Sequence, residues 1–532
     1  MPTLPLIARR QAAKIGAGLS FAIATRASAA EPLPDPSLSP SQTVGVAVPP
    51  GQIDQAIAKL DGLTKDLLSR SGVPGLAVAV VRDGETVYAK GFGVRKTGTT
   101  DAVDADTVFQ LASVSKSVSA TVVAQQVGLG GIAWNTPVIR HLPWFALNDR
   151  WITRHVTLGD MFAHRSGLPD HAGDDLEDLG YDRRQVLERL RWLPLHSFRD
   201  EYDYTNFGVT AAAEAAAVAA GTDWANLAEK AVYGPLGMSS TSSRFADFER
   251  RPNRAVGHIR TGDLFVAKYQ RQPDAQSPAG GVSSSVRDMA LWLAMVLQGG
   301  TYGGERIVAQ EALLPAVTAR IVTDHGTDMT ARPGLYGYGF GVGIQPSGRV
   351  TMSHSGAFYL GAATNFVLIP SLGLGIIVLS NAFPVGVVEA LSASFADLVQ
   401  FGRVTRDWLP AYRGLVAGIS APTGSLVGKS PPPGAAPPSN LQNYAGLYEN
   451  DYYGPAEILG RGDGLALRIG PKGLQYPLRH WDGSVFVYTP DGENAPDGSV
   501  SAITFKVGGS GRASAFSNEF YATSGRNAFV RR

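Results

Sequence analysis

Apolar positions recur along this chain in two rhythms, and the rhythm changes with position. Ile53, Ile57, Leu60, Leu63 and Leu67 fall at helical spacing and predict an amphipathic helix with one buried stripe. Pro74-Gly75 ends that pattern. Residues 76–81 and 86–92 are apolar, β-branched runs joined across Asp83-Gly84, which predicts a hairpin. The middle third, 113–300, carries helical patterns at 113–127, 185–191, 208–220 and 285–297. Strand character returns at 338–344, 363–369 and 375–379, the last two joined through Pro370-Ser371-Leu372-Gly373. A closing helix is predicted over 387–401.

Strands contributed from both ends of a region, with helices between them, require that region to fold as one unit, here 51–402. The expected fold class is α+β: an antiparallel β-sheet flanked by helices, with an inserted all-helical region. Residues 403–440 read as a linker, because 418–440 is rich in Gly, Ser and Pro. Beyond it, 441–532 alternates short β-prone runs at 465–469, 485–488 and 503–507 with Asp463-Gly464, Asp482-Gly483 and Asp497-Gly498. That spacing predicts a small C-terminal all-β barrel or sandwich. A length of 532 residues accommodates both units.

Arg9-Arg10 and Lys14 precede a short apolar stretch over 15–25, and Ala27-Ser28-Ala29 offers small residues for cleavage. Residues 1–29 are therefore read as a signal peptide and 30–50 as a Pro-rich spacer, which implies an exported, periplasmic or secreted protein. The arginine pair points to the twin-arginine route, with Sec export also open. No run is long and apolar enough for a transmembrane helix. Lys and Arg number 47 against 46 Asp and Glu, and no basic tract stands out, which argues against nucleic acid or an anionic membrane as a partner. With no cysteine, disulfides, thiolate catalysis and Cys-ligated zinc are excluded. The nine histidines are scattered, so no metal or other cofactor is expected.

Three short segments carry chemistry: Ser113-Val114-Ser115-Lys116, Tyr204-Thr205-Asn206 and His354-Ser355-Gly356. A separation of three places Ser113 and Lys116 on one face of a helix. Serine is a weak nucleophile without a neighbouring base, and lysine serves as one when burial or nearby positive charge lowers its pKa. At the head of that helix the Ser113 N–H is also free to bind an oxyanion. Tyr204 offers a phenol to shuttle a proton, and Asn206 an amide to hold a substrate carbonyl. Taken alone, each segment has an equally plain structural reading: a capping serine, a loop tyrosine before a helix, a histidine beside a strand. Tyr448-Glu449-Asn450 repeats the second pattern and reads as a turn. There is no Gly-x-Ser-x-Gly, no His-Glu-x-x-His, no phosphate loop and no dinucleotide fingerprint.

The three segments in this order resemble those of serine β-lactamases and penicillin-binding proteins. Residues 51–401 also resemble the class C β-lactamases, serine peptidases and esterases of that family at Phe162 to Pro169, at Tyr233-Gly234-Pro235-Leu236-Gly237-Met238 and at Ser277 to Ser284. The resemblance implies Ser113 as the acylated nucleophile, Lys116 as its proton acceptor and Tyr204 as the acid–base partner. It implies that Asn206 orients the substrate, and that His354 and Ser355 line the opposite wall on an edge strand with Gly356. The backbone N–H groups of Ser113 and Ala357 would form the oxyanion hole, while His164 and Gly280-Gly281 would be structural. One departure counts: His354 stands where β-lactamases and D,D-peptidases of this family usually carry a lysine, a fixed cation for a substrate carboxylate. The C-terminal region, from Tyr444-Ala445-Gly446-Leu447-Tyr448, resembles the lipocalin-like barrel that follows many such proteins.

The function expected is an exported serine hydrolase that forms an acyl-enzyme on Ser113 and cleaves small amide or peptide bonds, as D-amino-acid peptidases do. A carboxylesterase or weak β-lactamase on the same fold is the alternative. A non-catalytic binding or sensing protein is the reading from a different class. The partner in the first two cases is a small-molecule amide, peptide or ester.

Overall fold

The computed structural model describes residues 44–532 apart from 463 and 510, so the expected signal peptide and most of the expected spacer lie outside the described residues. The opening amphipathic pattern forms α1 (Gln52–Ala58) and α2 (Leu60–Ser71), interrupted at Lys59. The hairpin follows as β1 (Gly75–Arg82) and β2 (Glu85–Gly93). Alternation along β1 sorts its side chains onto two faces. Leu76, Val78 and Val80 join one core with Leu60, Leu67 and Phe395, while Ala77, Ala79 and Val81 join another with Met289 and Leu293. Both faces are covered, which is why the run reads as continuously apolar.

Between β2 and the next strands of the same sheet lies the helical insertion. Its elements include α3 (Val114–Gly128), α4 (Asp174–Leu179), α5 (Asn206–Ala219) and α6 (Val286–Leu297). Six further strands complete the sheet: β3 (Ile321–Asp324), β4 (Gly334–Tyr336), β5 (Gly341–Ile344), β6 (Val350–Phe358), β7 (Ala362–Ile369) and β8 (Leu374–Ser380). The order across it is β2-β1-β8-β7-β6-β5-β4-β3, with each described neighbour pair antiparallel. α7 (Val387–Phe401) covers the face opposite the helical insertion. This is the α+β architecture expected, an antiparallel sheet flanked by helices.

Two local expectations are corrected. The strand pattern at 338–344 is broken: Gly339 turns out of it with φ +77, donates to the Phe162 carbonyl at 3.2 Å, and lies so close to α3 that a Cβ there would sit 2.6 Å from the Lys116 carbonyl oxygen. The stretch expected as a linker opens with α8 (Trp408–Val416), whose Trp408, Leu409 and Tyr412 pack on the α7 side of the sheet.

The C-terminal region forms a closed barrel of eight antiparallel strands in sequential order, β9 (Gly446–Glu449), β10 (Ala456–Arg461), β11 (Gly464–Ile469), β12 (Leu474–Asp482), β13 (Val485–Tyr488), β14 (Ser501–Val507), β15 (Ala513–Asn518) and β16 (Ala528–Arg531). Closure leaves no exposed sheet edge. Tyr448, expected in a turn, is instead a fully buried β9 residue packed on Phe516. No helix of the described residues is long and apolar enough to cross a membrane.

Candidate active site

Ser113 stands at the head of α3, where the chain passes from a two-residue pairing of Phe109–Gln110 with Ser283–Ser284 into the helix. Ala112 takes φ +45, a left-handed conformation uncommon for a residue with a side chain. It persists because the turn is held on both sides: the Leu111 N–H donates to the Val282 carbonyl, and the Thr364 hydroxyl donates to the Leu111 carbonyl at 2.7 Å. Among the described residues, the Ser113 N–H has no backbone partner.

One turn along α3, Lys116 is fully buried and its Nζ lies within hydrogen-bond reach of three oxygens: Ser113 Oγ at 3.0 Å, Asn206 Oδ1 at 2.7 Å and the Ala279 carbonyl at 3.0 Å. The Tyr204 hydroxyl donates to Ser113 Oγ at 2.7 Å, and the Tyr204 ring lies 4.5 Å from Nζ. Hydroxyl, amine, phenol and amide therefore converge, although Tyr204 and Asn206 come from far along the chain, at the start of α5.

Burial lowers the Lys116 pKa to about 7 against an opposing pull from Asp174. A neutral amine has two N–H donors and one lone pair. Asn206 Oδ1 and the Ala279 carbonyl can only accept, so they take both donors, and the lone pair is left facing Ser113, the one partner that can give a proton. Burial pushes the Tyr204 phenol well above its ordinary value, so it remains a donor at neutral pH.

The opposite wall is β6. The β5 partner of β6 ends at the Gly341–Ser353 pair, so His354 onward has no strand on that side among the described residues. β6 is thus an interior strand of the sheet with a free distal edge, rather than the edge strand expected. His354 and Gly356 face the helical insertion. A Cβ on Gly356 would meet Thr364 Oγ1 at 2.3 Å, the Leu111 carbonyl at 2.4 Å and the Ser113 nitrogen at 2.8 Å, so only glycine lets β6 pass against the head of α3. Ala357 follows directly.

Ser355 points the other way. Its hydroxyl accepts from Asn365 Nδ2 at 3.0 Å and it engages Glu389 of α7, away from Ser113. His354 Nδ1 donates to the Ser355 carbonyl at 2.6 Å, so Nε2 accepts from the Tyr336 hydroxyl at 2.8 Å. Burial, reinforced by Lys116, holds the His354 pKa down at about 3. The imidazole is neutral, and supplies no cation where a lysine would.

Asp174, His171 and the Ala279 carbonyl escaped sequence reasoning, whereas His164 was read as structural. Asp174 Oδ2 accepts from Asn206 Nδ2 at 2.8 Å and from His171 Nδ1 at 2.8 Å. The His171 side chain is half-exposed; partial desolvation opposes its charged form, but the Asp174 and Asp170 carboxylates outweigh it and raise its pKa to about 9. The Ala279 carbonyl has no side-chain signal at all. Buried His164 accepts from the Thr205 N–H through Nδ1 at 3.1 Å and packs 4.5 Å from the Tyr204 ring, which fixes the phenol. The signal missed was the acid-rich run Asp174-Asp175-Leu176-Glu177-Asp178, most of it buried.

The beta-lactamase family model matches residues 54–400. The chain belongs to the beta-lactamase family. Residues 430–526 match a second model, a domain of unknown function (DUF3471), which covers seven of the barrel's eight strands, β9 to β15. Among its relatives is the unguisins hydrolase ungD' of Aspergillus campestris, 28% identical over 349 residues, 62% of each chain. The chain thus spans about three fifths of that relative's length. Another is the D-alanyl-D-alanine-carboxypeptidase/endopeptidase AmpH of Escherichia coli K12, 23% identical over 62% of this chain and 85% of that protein. Penicillin-binding protein 4 of Amycolatopsis lactamdurans is 30% identical over 43% of this chain and 60% of its own. The octameric penicillin-binding protein homologue from Pyrococcus abyssi shares the fold, with a TM-score of 0.57 at 21% identity, over 89% of this chain and all of that one. As a member of this hydrolase family, the protein carries its β-lactamase-like domain and its barrel in one chain.

Proposed function

We propose that the protein is an exported serine hydrolase that acylates Ser113 and cleaves small amide or peptide bonds, in the manner of a D-amino-acid peptidase. The observation that carries this reading is the buried Lys116 amine, 3.0 Å from Ser113 Oγ with its pKa lowered to about 7. In the proposed reaction Lys116 takes the Ser113 proton as Oγ attacks the carbonyl carbon. The Ser113 and Ala357 N–H groups receive the oxyanion. Tyr204 gives a proton to the leaving group, recovers one from Lys116, and the cycle repeats with water to release the acid. Asn206 and His354 border the substrate, while Ser355 contributes through its backbone.

Amide substrates are supported by the activities that two relatives are named for, an unguisins hydrolase and a D-alanyl-D-alanine-carboxypeptidase/endopeptidase. The neutral His354 favours a second reading, an esterase acting on uncharged acyl donors, because a carboxylate-bearing β-lactam finds no cation there. The arginine pair and small-residue site in the first thirty positions support export.

A fluorophosphonate or fluorescent penicillin, followed by intact-mass measurement, should label the wild type once and leave Ser113→Ala unlabelled. Turnover of a panel of D-amino-acid anilides, nitrophenyl esters and nitrocefin then separates amidase from esterase and β-lactamase. Labelling that persists in Ser113→Ala, or a wild type inert to the whole panel, refutes the proposal.

A further inference from the structure

α4 is six residues long, carries four acids and cannot hold itself in place. Arg271 and Gln276 donate to Glu177 at its middle, and the barrel holds its start and its end. The Gly173 N–H, just before α4, donates to the Tyr452 hydroxyl at 2.9 Å. The Tyr453 hydroxyl donates to Asp175 Oδ2 at 3.2 Å, and Asn494 donates both its backbone N–H and its Nδ2 to Asp178 Oδ2, at 3.0 and 2.9 Å. At the last residue of α4, the Leu179 carbonyl accepts from the Lys472 N–H at 3.3 Å. Just beyond it, the Tyr181 hydroxyl donates to the Tyr453 carbonyl at 2.7 Å. Tyr452 and Tyr453 are 2% and 0% exposed, so these are interior contacts.

The first residue of α4 is Asp174, and it decides which way the Asn206 amide points. An amide has a donor end and an acceptor end. With Nδ2 committed to Asp174, Oδ1 must face Lys116. Reversed, the amide would offer an N–H to the amine and occupy the lone pair that Ser113 needs.

We propose that the barrel is a working part of the active site: by gripping α4 it sets Asp174, which fixes the Asn206 amide and thereby aims the Lys116 lone pair at Ser113. Asp174 is a positioning residue, and Tyr452, Tyr453 and Asn494 position it in turn. The inference rests on the reading of Lys116 as the base. The other titratable groups around the pair are His164, Tyr204 and His354 beside Lys116, and Asp170, His171, Asp175 and Glu177 beside Asp174. The Asp174 charge favours protonated Lys116, so losing it must move the acid limb of the pH–rate profile to lower pH.

The test uses the full-length chain with kcat expressed per fluorophosphonate-titrated site. Asp174→Asn should lower kcat about tenfold and shift the acid-limb midpoint down by roughly half a unit or more. Tyr453→Phe and the double variant Tyr453→Phe/Asn494→Ala leave the site's own side chains intact, and should lower kcat and shift the midpoint in the same direction by smaller steps. If the double variant does not fold, Tyr453→Phe alone decides. A barrel that is only structural would reduce the number of titratable sites and leave kcat per site and the midpoint at wild-type values, which overturns the proposal. A shift in Asp174→Asn without one in the barrel variants overturns the barrel's part. Failure of the wild type to label at Ser113 would instead remove the hydrolase reading itself.

Discussion

Lys116 meets opposing demands, since burial favours the neutral amine while Asp174 favours the ammonium, and the balance falls near pH 7. A base must be unprotonated to accept, so acylation should rise with pH through about 7 and level off above it, which a rate profile of Ser113 labelling reads directly. Lys116→Ala should lower kcat/KM by roughly three orders of magnitude, the middle of the usual range for a general base. Lys116→Arg should not rescue it, because a guanidinium does not release its proton in this range. Two residues of the 113–116 segment were legible as chemistry from spacing alone, since three positions on a helix guarantee a shared face. Ser355 was not, because strand alternation sends it to the far face and only the register with Asn365 shows which face that is.

At the level of elements, the site depends on how closely β6 passes the head of α3. Gly356 makes that approach possible, and any Cβ there collides with two backbone atoms of the 111–113 turn. Gly356→Ala should therefore cost about 1–3 kcal/mol, the range for overpacking a tight contact, and should slow Ser113 labelling more than it lowers the melting temperature would suggest. Thermal melts and labelling rates on the same sample check this. The break at Gly339 has the same origin: its apolar, strand-like neighbours predict a continuous strand, but close contact with the Lys116 carbonyl imposes a left-handed turn. Periodicity reports which residues are apolar and is blind to what packs across from them.

At the scale of the molecule, barrel and hydrolase domain share a buried, acid-rich seam. Asp175 sits in it, and burial, with Asp178 and Asp174 nearby, raises its pKa to about 7. Its unfolded value is about 3.9. The folded state therefore keeps a proton that the unfolded state has lost, and this contribution is complete below the unfolded value and disappears as pH rises through about 7. Melting temperature should fall between pH 5 and pH 8, and Asp175→Asn should flatten that slope.

The sequence by itself determined the α+β class and the all-β character of the C-terminal region, because each follows from local periodicity. The apolar, β-branched run at 76–81 and a serine three positions from a lysine need no knowledge of the rest of the chain. The tertiary structure alone decided that Tyr204, 91 positions from Ser113, donates to its hydroxyl, that Asp174 rather than a substrate holds the Asn206 amide, and that the barrel grips α4. Those are contacts between distant segments, each fixed by the packing of elements against one another, and a linear pattern carries no record of that packing.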